Sequence, residues 1–254
     1  MNKIYPKLFF ILFISLLSSK ENSDYINNLI YKTNKQYKKV HDFQVEIEIN
    51  LDVPGFRMPK KKFKVFFKQP NKVKVNTKGF GVLPKTGLFT SPVDNFDNLK
   101  NLKLIIFNNK DHPNDIIISG NLITDSLKIK MPNEYARLTF IPTVQVKLDT
   151  LKWVIKSVTT KIDTLRIMQI NNIYDIVDNN YYLPIKSNIK YYIKNAKLSQ
   201  WLNKDISTVI NKGQKLKSQT NDMVEGNIKI KYKKYKVNKN IPDSIFKEKF
   251  ENDL

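Results

Sequence analysis

From Phe43 to Val53 apolar and polar residues alternate without a slip, with Phe43, Val45, Ile47, Ile49, Leu51 and Val53 on one side and Gln44, Glu46, Glu48, Asn50 and Asp52 on the other. A period of two over this length predicts a strand with a single apolar face. Pro54-Gly55 ends it, because proline fixes φ and glycine supplies the backbone angles of a reversal. Phe63, Val65 and Phe67 repeat the pattern, Gln69-Pro70-Asn71 turns the chain, and Val73 and Val75 resume it. The reading is an antiparallel meander, apolar on one face and rich in lysine on the other. Such a sheet has to cover its apolar face.

Two segments offer a cover. Tyr25 to Val40 places Ile26, Leu29, Ile30, Tyr37 and Val40 close to helical spacing, with Ser23 or Asp24 available to cap the start. Further on, Leu198, Trp201, Leu202, Ile206, Val209 and Ile210 fall on one face of a helix within the segment 195–225. That segment lies between strands, so it reads either as a lid across the sheet or as a helix packed on the core. Between Leu83 and Pro113 the pattern weakens, and no regular element is predicted there.

Short strands then return at Ile116 to Ser119, Leu122 to Ile129, Ala136 to Ile141, Val144 to Leu148, Trp153 to Asp163, Leu165 to Asp178 and Tyr182 to Ile193. Asn179-Asn180 marks a hairpin turn. Gly226 to Val237 alternates once more, with one slip, and Ile245 and Phe246 near the C-terminus are expected to tuck back onto the sheet. The fold class predicted is mainly β with a few α-helices.

Composition adds an address. Met1 to Lys7 carries two lysines, Leu8 to Leu17 is an apolar run broken by Ser15, and Ser18-Ser19 precedes the polar Lys20. That order is the order of a secretory signal, and the run is too short to span a bilayer of about 30 Å as a helix. Residues 1–19 are therefore expected to be a signal peptide and 20–254 a single domain containing the 195–225 insertion. With no cysteine, neither disulfides nor a lipid-attachment cysteine enters the picture. The net charge of +21 suggests nucleic acid at first, but only Arg57, Arg137 and Arg166 among 44 basic residues are arginines. Lysine abundance alongside asparagine and isoleucine points to a compositional bias, and no nucleic-acid module is present. An anionic membrane surface is the remaining beneficiary of the charge.

Candidate chemistry is sparse. His41 and His112 stand in separate contexts with no ligand spacing, so no metal site and no cofactor are expected. No nucleophile elbow, phosphate loop or dinucleotide fingerprint occurs. Glu46 and Glu48 share a strand face, but it is the face opposite the apolar one, which reads as solvated surface rather than a catalytic pair. No catalytic residues are assigned, and the weight moves from enzyme to binding protein.

The order of elements, from signal peptide and amphipathic helix to meander, further strands and helical insertion, resembles the LolA-like superfamily of periplasmic lipoprotein carriers and related lipid-binding proteins. The residues that carry the resemblance are the strand, basic-Pro turn and strand of Phe66-Phe67-Lys68-Gln69-Pro70-Asn71-Lys72-Val73-Lys74-Val75. Asp149 to Ile155, Leu183-Pro184 and Ile241-Pro242-Asp243 to Phe246 are similar to later positions of the same pattern. What the resemblance implies is an incomplete antiparallel β-barrel, a half-barrel lidded by helices, with an apolar cavity for acyl chains. Phe43, Val45, Ile47, Ile49, Phe63, Val65, Phe67, Val73 and Val75 would line that cavity, and Ile26, Leu29, Ile30, Leu198, Trp201 and Leu202 would form the lid. Gln69 stands where the best-known carriers place an arginine that helps hold the lid shut, so that lid mechanism does not transfer.

The expected function is a periplasmic, non-enzymatic carrier of lipid or lipoprotein acyl chains. Inner- and outer-membrane envelope proteins and transient membrane contact are its implied partners. The alternative is an envelope sensor or adaptor of the same fold that binds a protein. An open cavity and a filled core require the same alternation, so the sequence leaves that choice open.

Overall fold

The computed structural model describes residues 5–53, 56–57, 60–76, 91–105, 112–123, 141–178, 180–193 and 224–247. The candidate lid residues Leu198, Trp201 and Leu202, and the predicted strand Ala136 to Ile141 apart from its last residue, lie outside them. The N-terminal helix α1 covers Tyr5–Lys38 and therefore continues through both the apolar run and the amphipathic segment. No helix among the described residues is long and apolar enough to cross a membrane.

Eleven strands follow: β1 (Asp42–Val53), β2 (Phe56–Arg57), β3 (Lys61–Lys68), β4 (Lys72–Asn76), β5 (Leu99–Ile105), β6 (Asp115–Leu122), β7 (Thr143–Asp149), β8 (Val154–Ile162), β9 (Leu165–Val177), β10 (Tyr181–Ile193) and β11 (Val224–Val237). A single-turn helix α2 (Asp94–Asp97) precedes β5, and a 3-10 turn at Asp243–Phe246 follows β11. The main path through the sheet runs β4-β3-β1-β11-β10-β9-β8-β7-β6-β5, with β2 folded back onto the end of β1. Every pairing is antiparallel, and among the described residues the two end strands β4 and β5 do not pair, so the sheet is a half-barrel and not a closed one.

The meander emerges as read. Val45 faces Val65 and Ile47 faces Phe63 across β1 and β3, while Ile47 and Ile49 face Tyr232 and Ile230 across β1 and β11. β5 was not legible, and the reason lies in one residue. Asn101 takes a left-handed φ of 55°, and the register with β6 slips between Lys100 and Lys103, so Leu99, Leu102 and Leu104 do not follow a period of two. Opposite this irregular strand Gly120 is tightly enclosed, because a β-carbon there would meet Leu102 Cδ2 at 2.8 Å and Leu99 Cβ at 3.0 Å.

The inner face of the sheet carries two buried clusters. One gathers Phe43, Val45, Ile47, Ile49, Phe63, Val65 and Phe67 with residues of β9 to β11, and Phe43 stacks on Phe67 at 4.9 Å between ring centroids. The other gathers Ile118, Val144, Val146, Leu148 and Ile155 from β6 to β8 with Phe96 and Leu99. Helix α1 spans both: Ile26 and Leu29 belong to the second cluster, while Val40 and the partly buried Tyr37 belong to the first. Val158 of β8 packs at the edge of each, so it marks the seam between them.

Polar contacts fasten the ends. The Gln69 side-chain amide donates to the carbonyl oxygens of Val40 at 2.6 Å and Tyr37 at 3.3 Å, which satisfies acceptors left over where α1 finishes. At the other end of the chain Asp243 accepts from Lys68 Nζ at 2.7 Å and Lys72 Nζ at 2.9 Å, tying the 3-10 turn to the β3–β4 turn. Hydrogen bonds from these two ammonium groups hold the Asp243 carboxyl down from 3.8 to about 2. A carboxylate with a depressed folded-state value contributes stability that is present above its unfolded value and lost as pH falls through the folded one. The turn should therefore stay docked at pH 4 and loosen toward pH 2, with Asp243→Asn loose throughout. A carboxyl-detected NMR titration of Asp243, giving a midpoint near 4, would contradict this.

Candidate functional site

Beneath the last two turns of α1, at the seam between the two clusters, the structure holds a cavity of about 230 Å³. Thr33, Gln36, Tyr37 and Val40 form its roof and Pro92, Asp94 and Asn95 one side. Strands β8, β9 and β10 supply the floor and the far wall with Val158, Met168, Ile170 and Leu183 and the rings of Tyr174, Tyr181 and Tyr182, and Phe43 of β1 and Trp153 of the β7–β8 turn complete the lining.

A satisfied polar chain crosses this floor from strand to strand. Tyr232 Oη donates to Ser187 Oγ at 3.2 Å, Ser187 Oγ donates to Asn172 Oδ1 at 2.7 Å, and Asn172 Nδ2 donates to the Ile155 carbonyl at 3.2 Å. Burial pushes the Tyr232 hydroxyl up to about 12, and the Tyr174 and Tyr235 hydroxyls are raised for the same reason, so these phenols stay neutral donors. Tyr235 Oη donates to the Pro184 carbonyl at 2.8 Å, which fixes the start of β10 against β11. The network holds together the strands that carry the pocket.

Strain sits at the wall. Trp153 adopts a left-handed φ of 54°, uncommon for a bulky residue and costing on the order of 1–3 kcal/mol. The tight β7–β8 turn imposes it: Asp149 Oδ1 accepts from the backbone N–H of Leu151 at 2.9 Å and of Lys152 at 3.0 Å. The indole then lines the cavity, with Lys32 Nζ of α1 4.9 Å from its ring. Next to it Lys152 Nζ stands 5.6 Å from the ring of Tyr182, whose strand partner is Ile176. Leu151 is 70% exposed and Ile176 56% exposed, so this end of the pocket carries an apolar, lysine-flanked lip.

The residues singled out from the sequence divide by place. Phe43 lines the cavity. Val45, Ile47, Ile49, Phe63, Val65 and Phe67 lie in the first buried cluster, on the same inner face but outside the cavity lining, and Val73 and Val75 of the edge strand β4 are exposed. Ile26, Leu29 and Ile30 pack in or against the second cluster, and the roof comes from the next turns of the same helix. Val158, Met168, Ile170, Asn172, Tyr174 and Trp153 were missed. Spacing could have found the four on β9, which recur at every second position, but Ile167 and Ile173 on the opposite parity blur the apolar face.

The remaining candidate chemistry stays apart from the cavity. His41 and His112 are exposed, and Glu46 and Glu48 pair with Lys234 and Lys233 on the outer face. Among the described residues no group of three or more histidine or carboxylate side chains is placed to hold a metal ion. A second hollow of about 770 Å³ is lined by Glu46, Glu48, Lys61, Lys62, Lys64, Asn76, Lys233 and Lys234, and Ile47 and Phe63 of the meander also reach its lining. Its open lining, with seven charged side chains against two apolar ones, suits solvent rather than an apolar ligand.

No family model and no curated protein matches the sequence. Among solved structures the chain is similar to a LolA superfamily protein from Nitrosomonas europaea, with 12% identity and a TM-score of 0.46 over 87% of this chain and 97% of that one. It is also similar to a putative outer membrane lipoprotein-sorting protein domain from Vibrio parahaemolyticus, with 7% identity and a TM-score of 0.48 over 85% and 95% of the two chains. A DUF1329 family protein from Desulfovibrio piger gives 9% identity and a TM-score of 0.48 over 87% and 95%. At these identities the likeness is one of fold.

Proposed function

We propose that the protein is an exported, non-enzymatic carrier that shelters an acyl chain of a lipid or lipoprotein in the cavity under α1. The single observation that carries this reading is the apolar cavity at the seam, roofed by α1 and floored by Val158, Met168, Ile170 and Leu183. Each methylene withdrawn from water contributes about 0.8 kcal/mol, so a ten-carbon segment supplies on the order of 8 kcal/mol before the costs of association. At about 230 Å³ the space is smaller than the roughly 300–1,000 Å³ of most small-molecule pockets, which suits part of one chain rather than a whole lipid.

The lip around Leu151 and Ile176 supports membrane contact during loading. Exposed apolar side chains flanked by Lys32 and Lys152, with Trp153 and Tyr182 behind them, are the groups that sit at a bilayer interface. The N-terminal basic, apolar and small-residue order supports export, with the periplasm as the place of work.

The test is native mass spectrometry of the protein purified without detergent from its own envelope, followed by organic extraction. An added mass that extracts as an acylated species is the expected result. A clean mass that takes up neither phospholipid nor lipopeptide would reject the carrier, and a stoichiometric protein retained in its place would indicate an adaptor.

A further inference from the structure

We propose that the Tyr37 hydroxyl is a recognition point for an uncharged acyl carbonyl, so that the cavity selects esters or amides of fatty acids over the free acids. The inference rests on the carrier reading above and names the ligand chemistry of the same cavity. Tyr37 lines the cavity, and its hydroxyl oxygen is buried without a hydrogen-bond partner among the described residues. Buried hydroxyls are nearly always paired, and leaving one unpaired is costly, so the group calls for a partner supplied from the cavity.

Three neighbouring polar side chains are already engaged. Thr33 Oγ1 donates to the Leu29 carbonyl at 2.9 Å, Asn95 Nδ2 is shared between the carbonyls of Ser91 and Pro92 at 3.3 Å each, and Asn172 serves the floor network. Tyr37 is also held in place: its ring meets Phe67 edge-on at 6.3 Å between centroids, and its carbonyl accepts from Gln69. A fixed donor at the roof of an apolar cavity has a geometry to offer, which a freely rotating one lacks.

The sign of the partner follows from the surroundings. Burial, with the Asp94 carboxylate adding to it, pushes the Tyr37 hydroxyl up to about 12, so it remains a protonated donor and asks for an acceptor. Asp94 lines the same cavity and accepts from the backbone N–H of Ser91 at 2.9 Å. A fatty-acid carboxylate brought to Tyr37 would meet that like charge while losing its water, whereas an ester or amide carbonyl brings an acceptor with no net charge.

The test measures displacement of N-phenyl-1-naphthylamine from the full chain by methyl decanoate, sodium decanoate and decane at neutral pH, in the wild type and in Tyr37→Phe. The expected pattern has methyl decanoate displacing the dye at lower concentration than sodium decanoate. Tyr37→Phe should weaken methyl decanoate about three- to tenfold, the range of one neutral hydrogen bond, and leave decane unchanged. Equal binding of ester and carboxylate, or a Tyr37→Phe variant that keeps full affinity for the ester, would overturn the inference while leaving the carrier intact. A variant that loses ester and alkane alike would show that Tyr37 only packs, which also overturns it. Failure of the wild type to bind any of the three would reject the carrier reading and this inference together.

Discussion

Asp42→Ala should destabilise the protein by about 3–5 kcal/mol, the largest loss expected from a single side chain here. Asp42 is 3% exposed and occupies the point where α1 hands over to β1. Its Oδ1 accepts from the N–H of Lys239 at 2.9 Å, its Oδ2 accepts from the N–H of Ile241 at 3.2 Å, and its carbonyl accepts from the N–H of Asn238 at 2.8 Å. Truncation leaves the N–H of Lys239 and of the buried Ile241 without their acceptor, so the cost is the desolvation of both groups and not only the loss of two bonds. Asn238 deepens the dependence, because its side-chain amide bonds the Lys39 carbonyl and Tyr181 Oη while its Oδ1 receives the N–H of His41. At roughly 2–4 °C per kcal/mol for a chain of this size, the melting temperature should fall by about 10 °C. Asp42→Asn, which keeps an acceptor oxygen, should lose about half as much. Urea midpoints for the two variants that match the wild type within error would show that the junction is not held this way.

Val158→Trp should abolish lipid uptake, lowering affinity at least tenfold, while costing less than about 1.5 kcal/mol of stability. Overpacking a filled core is expensive because side chains and backbone must shift. Val158 differs from a filled-core position in lying at the seam with the cavity beside it, so the indole has about 230 Å³ to enter. The same substitution at Ile47, 1% exposed and outside the cavity lining, should instead disrupt the fold. Dye displacement by methyl decanoate together with thermal melting separates the cases. Retained uptake in a well-folded Val158→Trp would place the lipid elsewhere.

Alternation along the chain carried most of the architecture. It is a strong signal wherever one strand face is buried and the other solvated, as in β1, β3, β7 and β11. Where both faces are mixed the signal fades, and β9 is the instructive case: Ile170 lies at the cavity, yet Ile173 and Ile176 are more than half exposed on the same strand. β5 was hidden by the left-handed Asn101, a local event that shifts every later side chain to the other face. The helical spacing of the N-terminal segment was legible, but its destination was not. A stripe shows that a helix has a buried side, and only the tertiary arrangement reveals that Ile26 and Leu29 serve one cluster, Val40 another, and Tyr37 the space between. Gln69 shows the same limit, since nothing in a strand-turn-strand pattern announces that its amide will close the end of a helix.

That the end strands β4 and β5 do not pair with each other among the described residues has a mechanical meaning. In a closed barrel the bore is fixed by the number of strands and their stagger, and widening it means breaking a ladder of hydrogen bonds. Here β4 and β5 stand at opposite ends of the strand order, each carrying outward lysines, Lys72 with Lys74 and Lys100 with Lys103, that discourage pairing along the seam. The wall is thus a cuff and not a pipe. Its girth can change through small increments of twist shared among ten interlocked strands, with every ladder intact. For the carrier proposed above, capacity would then be set by elasticity, and a thicker acyl chain would be met by uncurling.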